Sequence, residues 1–150
     1  MEESLELEIR RAVRSQHPLT IIMMAVDDFQ RFVEQHGIEA GDSLLHDVGG
    51  SLQSNIRKGD IACRYSGQAF VLILPQGSFE VIRQRAESLR ELIGTSEWNV
   101  SNGKGLRTTV SIGLAVFPGH GQTVEGLLRS AEAALNRARS SGGNIVVVAN

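Results

Sequence analysis

The spacing of apolar residues along the chain predicts alternating helices and strands. Apolar residues recur at helical spacing over residues 2–16, and Pro18 ends that helix. The unbroken apolar run over residues 19–26 is typical of a strand that is buried on both faces. The rest of the pattern predicts helices over 29–36, 40–56, 79–93 and 124–139, and strands over 61–65, 70–74, 106–117 and 145–148.

Polar residues and glycines modify this picture at the ends and in the middle of elements. Gly49 and Gly50 weaken the third helix, because a glycine in a helix interior costs roughly 1 kcal/mol against alanine. Residues 94–105 contain an Asn-Gly pair and form either a loop or a small hairpin. The residues predicted to cap helices are Asp27 or Asp28, Ser78 and Thr123.

The order of elements predicts the fold class. A few residues that include Gly67 join the strands at 61–65 and 70–74, which is the pattern of a β-hairpin. The hairpin makes part of the sheet antiparallel, and the helices can pack on the sheet faces. We therefore expect one α/β (α+β) domain over residues 1–150.

Composition and charge narrow the function classes. The chain has 150 residues and a net charge of −2, which excludes a bulk electrostatic attraction to nucleic acid or to a membrane surface. The single cysteine, Cys63, excludes an intrachain disulfide and suits a reducing compartment. No apolar run approaches the ~20 residues that span a bilayer. We therefore expect a cytoplasmic domain without contact to nucleic acid or membrane.

The most informative segment is the hairpin, where Ser66-Gly67-Gln68-Ala69-Phe70 resembles the signature of the GGDEF family. These bacterial diguanylate cyclases join two GTP molecules into cyclic di-GMP, and their hairpin tip reads Gly-Gly-Asp/Glu-Glu-Phe. Residues 110–115 are similar to the family's Ser-Ile-Gly strand, and residues 131–139 resemble its Ala-Asp-x-Ala-Leu-Tyr-x-Ala-Lys helix. The resemblance implies a nucleotidyl-cyclase, ferredoxin-like sandwich with a central, mostly antiparallel five-stranded sheet flanked by helices.

The same resemblance indicates a single module of a longer signalling protein. The family's leading Asp-x-Leu-Thr motif is absent from residues 1–150. We expect the sequence to be cut from a multidomain protein whose neighbouring domains are partners of this one. The resemblance leaves open whether that longer protein is anchored to a membrane.

The resemblance also implies that the domain is not an enzyme. Two carboxylates hold Mg²⁺ in the family, and the matching positions here are Ala25 and Gln68. Ala69 occupies the position of the acidic residue that is linked to catalysis in the family. A methyl group is no metal ligand and an amide is a poor one for Mg²⁺, so we expect no metal cofactor and no tight Mg²⁺ binding. Asp27 remains and can hold a metal weakly.

The residues that match the family's GTP pocket are partly replaced as well. Val33 replaces the Asn that contacts the base in the family. Gly143 replaces the Arg that follows the family's phosphate-binding Lys. We regard the remaining matches as a vestigial GTP pocket. They are Asp27, Asp42, Gly67 and Arg139.

Ahead of the hairpin, Arg57-Lys58-Gly59-Asp60 resembles the family's product-binding Arg-x-x-Asp site. A guanidinium can donate to guanine O6 and N7 or to phosphate, and a carboxylate can accept from guanine N1–H and N2–H₂. Family sites usually take a further arginine from the helix after the hairpin. Arg83, Arg85 and Arg90 are the candidates. By chance alone, the same four residues would form a solvated turn.

Two function classes follow from these residues. The first is a catalytically inactive GGDEF domain that acts as a receptor for cyclic di-GMP through Arg57 and Asp60. The second is a nucleotide-free domain for homodimerisation or protein interaction. Residual diguanylate cyclase activity is a third, less favoured alternative.

Overall fold

The structure, a computed structural model, describes residues 2–65, 67–75, 77–100 and 103–150. Its helices and strands follow the predicted order, with one additional hairpin. They are α1 Glu2–Ser15, β1 Leu19–Val26, α2 Phe29–His36, α3 Ile38–Ser54, β2 Ile61–Arg64, β3 Ala69–Leu74, α4 Phe79–Thr95, β4 Trp98–Val100, β5 Gly103–Leu106, β6 Val110–Phe117, α5 Val124–Ser140 and β7 Val146–Val148.

A five-stranded sheet in the order β2-β3-β1-β6-β7 forms the centre of the domain. Its strand pairs are antiparallel except β6 with β7, which is parallel. The predicted fold class is therefore confirmed. All eight residues of β1 are buried, because this central strand is covered on both faces. That burial explains its unbroken apolar sequence.

Two hydrophobic cores lie on opposite faces of the sheet. On one face, α3 and α4 contribute residues such as Leu44 and Ile82 to the larger core. On the other face, α1 and α5 contribute residues such as Leu5 and Leu135. Gly113 of β6 allows α5 to pack this closely, because a Cβ there would lie 2.4 Å from the backbone O of Ala131.

The segment over residues 94–105 differs from a plain loop. It contributes β4 and β5, which form a separate two-stranded sheet in which Trp98 pairs with Leu106. Trp98 is 8% exposed and belongs to the larger core. The long strand predicted from Leu106 therefore begins at Val110 instead, because Leu106 belongs to the hairpin. The predicted turn residue Asn102 lies outside the described residues.

The helix ends and α3 also correct details of the prediction. Ser78 and Thr123 cap α4 and α5 as predicted, accepting from the backbone N–H groups of Val81 and Gly126. Asp28 precedes α2 in a left-handed conformation and makes no side-chain cap bond. α3 continues through its paired glycines, and a Cβ on Gly49 would lie 3.2 Å from the Phe70 ring. The absence of a side chain there allows α3 to lie close to β3.

None of the helices in the described part of the chain combines the length and the apolar character needed to cross a lipid bilayer.

Candidate functional site

The hairpin tip forms one wall of a small cavity of about 200 Å³. Ala25 of β1 lies directly across from Ala69 of β3 in the antiparallel register. Gly67 and Gln68 line the same cavity, and α5 contributes Arg139. The structure therefore brings together all three positions expected to have lost catalytic groups with two of the expected GTP-pocket residues. Ser66, also in the predicted tip, lies outside the described residues.

The side chains around this cavity do not fit a magnesium ion. Ala25 and Ala69 present methyl groups, and Gln68 presents an amide. Of the described residues lining the cavity, Glu132 of α5 carries a carboxylate, and Arg139 of the same helix carries a positive charge. Over residues 2–65, 67–75, 77–100 and 103–150, no three or more His, Cys, Asp or Glu side chains are grouped so that they could hold a metal.

The Asp27 carboxylate is engaged by the protein itself. Its Oδ1 accepts a hydrogen bond from Ser111 Oγ at 2.6 Å. Its Oδ2 accepts from Thr109 Oγ1 at 2.6 Å and from the backbone N–H of Asn144 at 2.9 Å. A Cβ on Gly143 would lie 3.0 Å from the same carboxylate. Asp27 therefore joins the end of β1 to the start of β6 and to the turn before β7.

The remaining expected pocket residues lie elsewhere. Asp42 is exposed on α3 and is not among the residues that line the hairpin-tip cavity. Beside it, a Cβ on Gly41 would lie 2.7 Å from Val33 Cγ2, so the Val33 side chain packs where α2 meets α3. Of the four residues expected to form one vestigial GTP pocket, the structure gathers Gly67 and Arg139 but neither Asp27 nor Asp42.

The segment Arg57-Lys58-Gly59-Asp60 forms a closed turn. The backbone N–H of Asp60 donates to the carbonyl of Arg57 at 3.0 Å. The backbone N–H of Arg57 donates back to Asp60 Oδ2 at 3.0 Å. Gly59 has φ +96°, a left-handed conformation that glycine adopts without steric cost. The turn uses the main chain of Arg57 and exposes this arginine residue on the surface.

Arg85 is the arginine that the structure places at this turn. Its Nη2 donates to Asp60 Oδ2 at 2.6 Å, and the two side chains are only 15% and 7% exposed. Arg90 instead contacts Glu87 and Asn144. Arg83 is exposed and does not line the cleft beside the turn. Tertiary contacts thus distinguish three arginines that the sequence leaves equivalent.

A cleft of about 400 Å³ separates the turn from α1. We call it the α1 cleft. Its described lining includes four cationic and two anionic side chains, so positive charge is in excess. Such a cleft attracts a ligand with two negative charges. The charged residues are Glu8, Arg11, Arg57, Lys58, Asp60 and Arg85.

Glu8 and Arg11 are charged residues of this cleft that the sequence pattern did not single out, and Glu8 is the buried one of the two. It lies on the buried stripe of α1 together with Leu5 and Ala12, and it is 5% exposed. The sequence offered one signal for Glu8, because it places a carboxylate on the helix face that also carries the apolar residues.

Cys63 lies on β2 away from both cavities. Its Sγ is 3.8 Å from the carbonyl O of Val71, and burial raises the pKa of its thiol. A raised pKa leaves less of the reactive thiolate at neutral pH, so this thiol is a poor nucleophile.

The structure is an α/β domain in which helices flank a five-stranded, mostly antiparallel sheet, and comparison with known proteins identifies the family. The family model "Diguanylate cyclase, GGDEF domain" matches residues 1–145, so the chain belongs to the GGDEF family. The chain is 32% identical over 148 residues to the response regulator PleD of Caulobacter vibrioides, covering 98% of this chain and 33% of PleD. It therefore spans about a third of that curated relative.

Solved structures show the same fold. The GGDEF domain of YfiN (TpbB) from Pseudomonas aeruginosa superposes with a TM-score of 0.95 at 24% identity, covering 99% of this chain and 92% of that one. The coiled coil and GGDEF domain of DgcB from Caulobacter crescentus, in complex with c-di-GMP, superposes with a TM-score of 0.88 at 24% identity. That match covers 98% of this chain and 78% of the DgcB chain.

Proposed function

We propose that this GGDEF domain is catalytically inactive and acts as a receptor for cyclic di-GMP. The observation that carries the proposal is the α1 cleft, where the buried Arg85–Asp60 pair lies beside the exposed residue Arg57. The excess of positive charge in the cleft suits the two phosphates of a cyclic dinucleotide. The c-di-GMP complex of DgcB, a protein of the same fold, agrees with this ligand class.

Each partner in the turn has a distinct role in this proposal. The hydrogen bonds from Arg57 N–H and Arg85 both end on Asp60 Oδ2, which holds the carboxylate in one orientation. Asp60 Oδ1 then accepts from the guanine N1–H and N2–H₂ edge. The Arg57 guanidinium donates to guanine O6 and N7 or to phosphate. The main chain of Arg57 is fixed by the turn, so less conformational entropy is lost on binding.

The proposed inactivity rests on donor chemistry at the hairpin tip. Ala25, Gln68 and Ala69 provide no carboxylate, and Asp27 already accepts three hydrogen bonds. A metal ion would have to displace those donors to use Asp27. A reaction that depends on metal-bound phosphates has no support from these side chains.

We expect the domain to form no detectable cyclic di-GMP from GTP and Mg²⁺. The measurement is chromatographic product analysis, with an active diguanylate cyclase as the positive control. Product formation that is lost in Asp27→Asn would contradict the prediction, because it would reveal a metal site built on Asp27.

Calorimetric titration of the folded domain with cyclic di-GMP tests the receptor function directly. We expect saturable binding with no requirement for Mg²⁺, since the ligating groups are side chains and not a metal. Cyclic di-AMP serves as the control ligand, because adenine lacks the N1–H and 2-amino donors that Asp60 would accept. Absence of binding at high micromolar cyclic di-GMP would reject the receptor function and favour a nucleotide-free dimerisation or interaction domain.

The consequence of binding would be regulation of neighbouring domains in a longer protein. This part of the proposal rests on the relatives, since the chain spans about a third of PleD.

A further inference from the structure

A second buried carboxylate faces the α1 cleft from the side opposite the turn. Glu8 lines the cleft from α1, and its side chain is only 6% exposed. Its Oε1 accepts from Arg11 Nη1 at 2.9 Å. Asp60, whose side chain is 7% exposed, lines the same cleft from the turn. One cleft thus holds two buried carboxylates, each joined to an arginine.

The position of Glu8 is not explained by packing. A buried carboxylate loses its hydration, and it is tolerated when hydrogen bonds or charges compensate. Arg11 compensates only in part, because its own side chain is 61% exposed and one hydrogen bond on Oε1 is described. An apolar residue at position 8, between Leu5 and Ala12 on the buried stripe, would be buried at a lower cost in free energy. A ligand that donates to Glu8 gives this carboxylate a function.

Cyclic di-GMP carries two identical guanines, and each presents the donor pair N1–H and N2–H₂. Asp60 can accept from one guanine edge only. We propose that Glu8 accepts from the Watson–Crick edge of the second guanine, so that the α1 cleft requires guanine at both positions. This inference rests on the proposed function and adds specificity to it. Adenine presents the N1 lone pair at the corresponding place, which a carboxylate repels.

The cleft has the size of a small-molecule site. At about 400 Å³ it lies within the range of about 300–1,000 Å³ that is typical of small-molecule sites. The Arg57 and Arg85 side chains lie on the turn side and Glu8 on the α1 side. A ligand between these walls meets a carboxylate on each of them.

The test compares cyclic di-GMP with the hybrid cyclic GMP–AMP, which keeps one guanine and replaces the other by adenine. Both ligands are titrated into the wild-type domain and into Glu8→Gln, a change of nearly equal volume. We expect the wild type to prefer cyclic di-GMP by about tenfold or more, and Glu8→Gln to reduce that preference to about threefold or less. The preference is a ratio within one protein, so a partly unfolded sample does not alter it.

Glu6→Gln is the matched control, because Glu6 lies on the same helix, pairs with Arg10 and is 57% exposed. We expect it to keep the wild-type preference. An unchanged preference in Glu8→Gln overturns the inference and leaves the receptor function intact. Equal weakening of both ligands by Glu8→Gln also overturns it, because Glu8 would then act on the shape of the cleft. A wild type that binds neither ligand rejects the receptor function and the inference together.

Discussion

Arg57→Ala is expected to weaken the affinity for cyclic di-GMP by a factor of tens to more than a hundred. This factor corresponds to a loss of about 2–3 kcal/mol in binding free energy. The exposed Arg57 residue lies at the α1 cleft, and its guanidinium can reach a guanine edge and a phosphate. The backbone hydrogen bonds of the turn do not involve its side chain, so the turn itself should persist. Calorimetric titration of the variant against the wild type measures the change.

Two controls separate a specific contact from general electrostatics. Lys58→Ala removes a charge from the next residue of the turn, and it should change affinity little at moderate salt, because screened surface charges contribute weakly. Gln68→Glu alters the separate hairpin-tip cavity and should leave affinity unchanged. Equal losses in Arg57→Ala and Lys58→Ala would show that charge alone attracts the ligand. Full affinity in Arg57→Ala would place the binding site elsewhere.

Asp27→Ala is expected to lower the free energy of unfolding by about 3 kcal/mol, since three hydrogen bonds to a carboxylate are lost. Ser111 is fully buried, so its hydroxyl cannot turn to water. The melting temperature should fall by about 6–12 °C for a domain of this size. Urea unfolding followed by circular dichroism measures the change.

Asp27→Asn should lose less stability than Asp27→Ala, because the amide keeps one acceptor oxygen and the Ser111 hydroxyl can accept from its NH₂. Asp28→Asn is the matched control one residue along. Asp28 makes no cap bond, and asparagine tolerates its left-handed conformation, so stability should hardly change. Unchanged stability in Asp27→Ala, together with a wild type that Mg²⁺ stabilises, would instead favour Asp27 as a metal ligand.

Local sequence pattern determined most of the fold. The apolar run over residues 19–26 predicted the bounds of β1, and the strands around Gly67 predicted the β2–β3 hairpin. These features follow from the local sequence, namely from the period of apolar residues and from the glycines that turns require. For residues 94–105 the local pattern left a loop and a small hairpin open, and the structure shows the hairpin β4–β5. It depends on burial of Trp98 in the larger core, which a tertiary contact provides.

The candidate sites show the same division. The spacing of Arg57 and Asp60 is visible in the sequence, since a four-residue turn brings the two together. The partners that complete each site come from distant parts of the chain: Arg85 is 25 residues from Asp60, and Ser111 is 84 residues from Asp27. Periodicity shows which face of a helix is buried. Which side chains from two elements share a cleft depends on how those elements pack on the sheet, and only the tertiary structure decides that.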